Sequence, residues 1–231
     1  MDAAFVLLLN GVAGKSWALD TAINLIVRSD VIRGGLIVAM FMAAWHRGSD
    51  RKTLEENRRR LITALVGTVV ALVIAQLLEA VLPFKPRPIN DPALGFAIPI
   101  GMTPDFFDEM STFPSDHAAL FFGLGAGIYL VSRRLGCLAL AIAVVIVSLP
   151  RIYLGLHYPS DIAGGAALGI AAVGVANLVL LRSRLPALIG NWAQVQPSIF
   201  FALFFLVNLE MATTFEDTRN IGAFILHLML R

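Results

Sequence analysis

Charge is scarce in this sequence. Asp, Glu, Lys and Arg together make up 15% of 231 residues, while 58% are hydrophobic. A soluble domain carries roughly 25% charged and 45–50% apolar residues and needs the charge to cover its surface. The deficit excludes an ordinary water-soluble fold. Cysteine is nearly absent: Cys137 stands alone in an apolar run, so there is no disulfide framework and no thiolate zinc cluster. It reads as a small buried hydrophobe. The net charge of +2 is slight and interrupted by acids, which excludes a nucleic-acid surface. Internal repeats and low-complexity tracts are missing. The start, Met1 to Phe5, lacks the positive region of a cleaved signal peptide, so it is expected to be retained.

Long uncharged runs fill the space. Leu61 to Leu78 holds 18 residues, Leu135 to Pro150 holds 16 and Ile162 to Leu181 holds 20, against about 20 needed to cross the hydrocarbon core. The expected spans are 31–46, 61–83, 117–132, 135–150 and 162–181, with 197–211 as a sixth. Residues 2–28 are broken by Asn10, Gly14, Lys15, Asp20 and Asn24, which fits an interfacial amphipathic helix followed by a turn. The tail 221–230 is too short to cross alone. The reading is all-α: a polytopic transmembrane helical bundle of about six spans with an N-terminal interfacial helix. It forms a single domain over 1–231, with a C-terminal extension at 182–231.

Basic residues give the orientation, because Lys and Arg concentrate in cytoplasmic loops. The loop 47–60 carries Arg47, Arg51, Lys52, Arg58, Arg59 and Arg60; Arg133, Arg134, Arg182 and Arg184 fall on the same side. The opposite loops hold Lys85, Arg87, Arg151 and Arg219, whereas Lys15, Arg28, Arg33 and Arg231 lie in terminal regions and are left out. The loops 84–116 and 151–161 are therefore placed outside the cytoplasm.

Polar residues gather on that outer side. Lys85-Pro86-Arg87-Pro88 holds two cations out of helical register. In Phe113-Pro114-Ser115-Asp116-His117, Ser115 is a natural N-cap, and the helix start it caps would welcome an anion. Between Arg151 and Asp161, Pro159 interrupts the helix and leaves His157 four residues before Asp161. A carboxylate accepting one imidazole N–H leaves the other ring nitrogen as an electron pair, as a histidine nucleophile requires. Asp91, Asp105, Asp108 and Glu109 match no calcium or magnesium ligand loop and read as a solvated face. Two histidines, three cations and two helix starts on one face suit phosphoryl transfer. That chemistry needs fixed positive donors, a nucleophile and an acid for the leaving oxygen, which two histidines can supply with no metal or cofactor.

These residues make the sequence resemble the type 2 phosphatidic acid phosphatase family, integral membrane lipid phosphatases that share an active-site plan with vanadium haloperoxidases. Its motifs are K-x6-R-P, P-S-x-H and S-R-x5-H-x3-D. Arg87-Pro88 answers the end of the first, Pro114-Ser115-Asp116-His117 the second, and Arg151, His157 and Asp161 the third, all within the motif region 85–161. Two positions depart: Ala80 stands where the family lysine falls, with Lys85 as a possible substitute, and Pro150 replaces the Ser before Arg151.

The resemblance implies that His157 attacks phosphorus, Asp161 orients it, and His117 protonates the leaving group and later activates water. Arg87, Arg151, Ser115 and Lys85 would bind phosphoryl oxygens. The variant Phe-Pro-Ser-Asp-His-Ala is most like the bacterial undecaprenyl pyrophosphate phosphatases of this family, which implies a lipid phosphate partner on the outer face of the inner membrane and a role in peptidoglycan synthesis. A glycerolipid phosphatase acting on phosphatidic acid or phosphatidylglycerol phosphate is the alternative within the family. A transporter or structural bundle using Gln76, Glu79 and Glu210 is the alternative from another class.

Overall fold

The computed structural model describes residues 2–103, 111–215 and 218, and those residues form helices and loops. Asp105, Asp108, Glu109 and the tail 221–230 lie outside the described residues. Among the described residues, three helices are long and apolar enough to cross a membrane: α4 (Arg51–Val81), the rod Arg133–Tyr153, and α8 (Pro159–Leu180). Shorter apolar helices fill the remaining expected spans: Val31–Trp45, α5 (Asp116–Val131) and α10 (Pro197–Ala212). The polytopic bundle is thus all-helical, as the apolar runs predict.

Small residues decide how its centre packs. Helices α4, α5 and α8 form the most extensive contacts in the molecule. Gly165 and Gly169 lie on the seam between α8 and α5, where an added Cβ would come within 2.2 Å of the Ser115 carbonyl oxygen and 2.1 Å of the Ala119 one. In a bilayer, where lipid is as apolar as leucine, such close backbone approach is what holds helices together. It also sets α8's first turn against α5's: the Ser115 N–H donates to the Asp161 carbonyl at 3.1 Å. On the far flank, α3 (Leu36–Trp45) and α10 close through aromatics. The Trp45 and Phe204 rings are 4.7 Å apart, and Trp45 stacks on Phe200 at 5.7 Å, pairs worth about 0.5–1.5 kcal/mol each beyond area burial.

Several boundaries differ from the sequence reading. Residues 2–28 form two helices, α1 (Asp2–Asn10) and α2 (Trp17–Arg28), because Gly14 takes a left-handed turn and Ser16 caps α2 through the Leu19 N–H. The loop expected at 47–60 is mostly helix: Asp50 caps α4 at Thr53, and Arg51–Glu55 and Glu56–Arg60 pairs support the added turns. The connection after α8 contains α9 (Leu185–Val195), with a proline in its first turn. Cys137 is exposed on α6 (Arg133–Ile142), contrary to the expectation of burial; apolar positions on the outside of a membrane bundle face lipid, so low polarity did not fix the side.

Two π-helical turns, Val31–Gly35 and Ala143–Ser148, touch one another. In each, the next residue's N–H reaches back five residues, Leu36 to Val31 and Leu149 to Val144. The second turn widens the rod just before Pro150, whose ring could not sit in a regular helix interior. The helix therefore continues as α7 (Leu149–Tyr153) and carries Arg151, expected in the loop, on its last turn inside the bundle.

The two ends of the bundle are chemically distinct. At one end Arg59 donates to the Leu181 carbonyl and Arg51 to Gln194, joining α4 to the end of α8 and to α9. At the other, α1 and α2 pack on α7 beneath the loop that follows α4. Asn10 both donates to and accepts from the backbone of Ala97, and the Asp20 carboxylate accepts from Gly14, Ile100 and the Tyr153 hydroxyl.

Candidate active site

The site is assembled from three backbone segments that lack regular structure, each anchored by its neighbours. The chain leaving α4 runs through Lys85 to Arg87, and the Ile89 N–H donates to the Gly155 carbonyl at 3.0 Å. Gly155 sits at φ +71°, and a Cβ there would lie 2.6 Å from the Phe96 ring, so the corner before His157 requires glycine. The segment before α5 joins through Thr112, whose N–H donates to the Lys85 carbonyl at 3.1 Å. Ser115 is fully buried and caps α5, its hydroxyl accepting from the Ala118 N–H at 3.3 Å.

His157 is buried at this junction. Its Nδ1 lies 3.0 Å from the Thr112 carbonyl oxygen, a group that can only accept. Nδ1 therefore carries the proton, and Nε2 keeps its lone pair. Burial, reinforced by the nearby Arg87 charge, pulls its pKa well below the usual histidine value, so the ring is neutral at ordinary pH. The Asp161 carboxylate, expected to accept directly from this imidazole, stands 4.0 Å from Nδ1. It is engaged elsewhere: by the Thr112 hydroxyl at 2.7 Å, the Tyr158 N–H at 2.7 Å and the Lys85 ammonium at 2.7 Å. Asp161 thus acts on His157 through Thr112 and the turn that caps α8.

The arginines surround this pair. Arg87 is 8% exposed and donates to the Leu156 carbonyl at 3.1 Å; desolvation draws its pKa down, while the charges of Asp116, Glu79 and Asp161 oppose that. Arg151 is 3% exposed and donates to the Val147 carbonyl within the π turn. His117, in the first turn of α5, bonds through Nδ1 to the Asp116 carboxylate at 2.6 Å. The charges of Arg87, Arg151 and His117 all act on His157. The seven residues selected from sequence, Lys85, Arg87, Ser115, His117, Arg151, His157 and Asp161, accordingly converge on one end of the bundle.

A family model described as the PAP2 superfamily matches residues 60–184. The chain belongs to the PAP2 superfamily. Among its relatives, a bacitracin transport permease protein, BcrC, of Bacillus licheniformis is 33% identical over 119 residues, covering 50% of this chain and 53% of that protein. The match thus spans about half of that relative's length. A decaprenylphosphoryl-5-phosphoribose phosphatase of Mycobacterium tuberculosis is 32% identical over 172 residues, 74% of this chain and 85% of the relative. The undecaprenyl-diphosphatase BcrC of Bacillus subtilis is 25% identical over 162 residues, 70% and 75% of the two chains. No solved structure matches.

Within the PAP2 region, three positions make contacts that sequence reasoning did not assign. Thr112 holds His157 with its carbonyl and Asp161 with its hydroxyl, yet it precedes the second motif and carries no signal of its own. Lys85, expected at the phosphate, has its ammonium on Asp161 and on Ser160 and lies 4.3 Å from the centre of the Tyr158 ring. Asp91 accepts from the Tyr158 hydroxyl at 2.9 Å and from the Ala93 N–H, so it braces the loop after α4.

Proposed function

We propose that this PAP2 chain is a membrane lipid phosphatase that removes the terminal phosphate of undecaprenyl pyrophosphate through a phosphohistidine intermediate. The proposed setting is the outer face of a bacterial inner membrane, where the reaction would serve peptidoglycan synthesis. The observation that carries the reading is the imidazole of His157, pinned at Nδ1 and neutral, at the pole where Arg87 and Arg151 are buried and His117 is partly buried. Nε2 attacks the terminal phosphorus while the bond to the bridging oxygen breaks, and His117 gives that oxygen its proton. Water then attacks the phosphohistidine, His117 takes the proton, the P–N bond breaks and inorganic phosphate leaves. Arg87, Arg151 and the Ser115 helix start balance charge on the phosphoryl oxygens. The outer setting is supported by the arginine-rich opposite end, and the polyprenyl substrate by two relatives whose names contain polyprenyl lipids.

The test is phosphate release by purified protein, with chelator present, from undecaprenyl pyrophosphate, phosphatidic acid and phosphatidylglycerol phosphate in one detergent. The diphosphate is expected to lead by more than about tenfold, and His157→Ala should end the reaction in a protein that still folds. A glycerolipid leading by that margin would move the substrate to the alternative within the family. Activity surviving His157→Ala would remove the histidine nucleophile.

A further inference from the structure

Arg33 lies outside the matched region, on the π-helical turn that opens the first apolar helix, and it is 8% exposed. A buried cation in a membrane helix is costly and marks function unless it is fully matched. The matching here is partial. One guanidinium nitrogen contacts the Asp30 carboxylate and another reaches the Val27 carbonyl at 3.4 Å, while buried Nε has no partner among the described residues. Asp30 itself is half exposed.

Three observations aim this cation at the catalytic pole. Its π turn touches the second π turn, Ala143–Ser148, whose Val147 carbonyl holds Arg151. The charge of Arg33 acts on both Arg151 and His117. Gly34 packs the turn closely against the end of α10, where an added Cβ would fall 2.3 Å from the Ala212 carbonyl oxygen. The arrangement is asymmetric. Arg87 and Arg151 act on the nucleophile His157, and Arg151 also acts on His117, the proposed acid on the leaving-group side, where Arg33 adds a smaller charge.

In an in-line displacement the nucleophile and leaving group occupy opposite sides of phosphorus. A monoester leaves as an uncharged alcohol after protonation, but a diphosphate leaves as a lipid phosphate that keeps its own negative charge. We propose that Arg33 binds this departing second phosphate, and thereby sets a preference for diphosphate lipids over phosphate monoesters. The inference rests on the phosphatase reading above and gives its leaving-group side a residue from outside the family motifs.

The test compares farnesyl pyrophosphate with farnesyl phosphate, which share one tail and differ only in the second phosphate, using the full chain in detergent. Arg33→Met is expected to lower kcat/KM for the diphosphate by about 30-fold and for the monoester by less than about threefold. Arg33→Lys, which keeps charge but loses the planar fork, should fall between wild type and Arg33→Met on the diphosphate alone. It decides the matter if the methionine variant does not fold. Equal losses on both lipids, or no loss on either, overturn the Arg33 assignment while leaving the phosphatase reading intact. A wild-type chain that releases phosphate from neither lipid overturns the phosphatase reading itself.

Discussion

Both ends of the bundle are rich in arginine, but they use it differently. At the end where α4 begins, Arg51 and Arg60 pair with Glu55 and Glu56 one turn away, and Arg51 is 81% exposed. Water and headgroups solvate such charges, and each pair contributes about 0.2–1 kcal/mol. At the opposite end Arg33, Arg87 and Arg151 are each less than a tenth exposed. Burying several like charges together opposes folding, so that end holds a positive field in reserve for an anion. The same side chain is solvated at one pole and buried at the other; on the proposed reading the first marks topology and the second binds phosphate.

The largest expected effect strikes the buried pole at its nucleophile. His157→Asn should lower kcat by at least about a thousandfold, with folding checked by a cooperative melt. Next come the cations: Arg151→Met and Arg87→Met are each expected to cost about 10²–10³ in kcat/KM. Removing the Thr112 hydroxyl with Thr112→Val should lower kcat about tenfold at little change in KM, as a positioning residue would. It also carries a pH signature. His157 is held neutral by burial, so the acid limb that its protonation adds to the wild-type kcat/KM profile should lie below pH 6.5. An Asp161 carboxylate with one donor fewer favours the imidazolium more, and the acid limb in Thr112→Val should move upward.

Lys85→Ala should lower turnover less than Arg87→Ala, because the lysine reaches the site through Asp161; equal losses in parallel assays would place Lys85 on the phosphate itself. The smallest effect belongs to the other pole. Arg60→Ala should change activity by less than about twofold and stability by less than about 0.5 kcal/mol in a denaturation assay. A loss there comparable to that of Arg87 would erase the contrast between the poles.

The sequence carried the helical membrane class and the grouping of the motif residues on one face, since apolar run length and basic loops are one-dimensional signals. What it hid was conformational. The π turn before Pro150 draws Arg151 from a loop into a helix, and no residue pattern announces that insertion. The four-residue interval between His157 and Asp161 suggested a direct bond, yet the folded turn spends the carboxylate on Tyr158, Thr112 and Lys85. Thr112 and Arg33 escaped notice because each is ordinary in its own neighbourhood and becomes informative only beside residues distant in the chain.

The contacts of Asn10 and Asp20 also impose an order on synthesis. Their partners Ala97 and Ile100 lie 87 and 80 residues later, and Tyr153 follows Asp20 by 133. Helices α1 and α2 must therefore wait for these contacts until the segment through Tyr153 has been made. The loop after α4 can be fastened over the candidate site only after that, so the pocket closes once residues far apart in the chain have met.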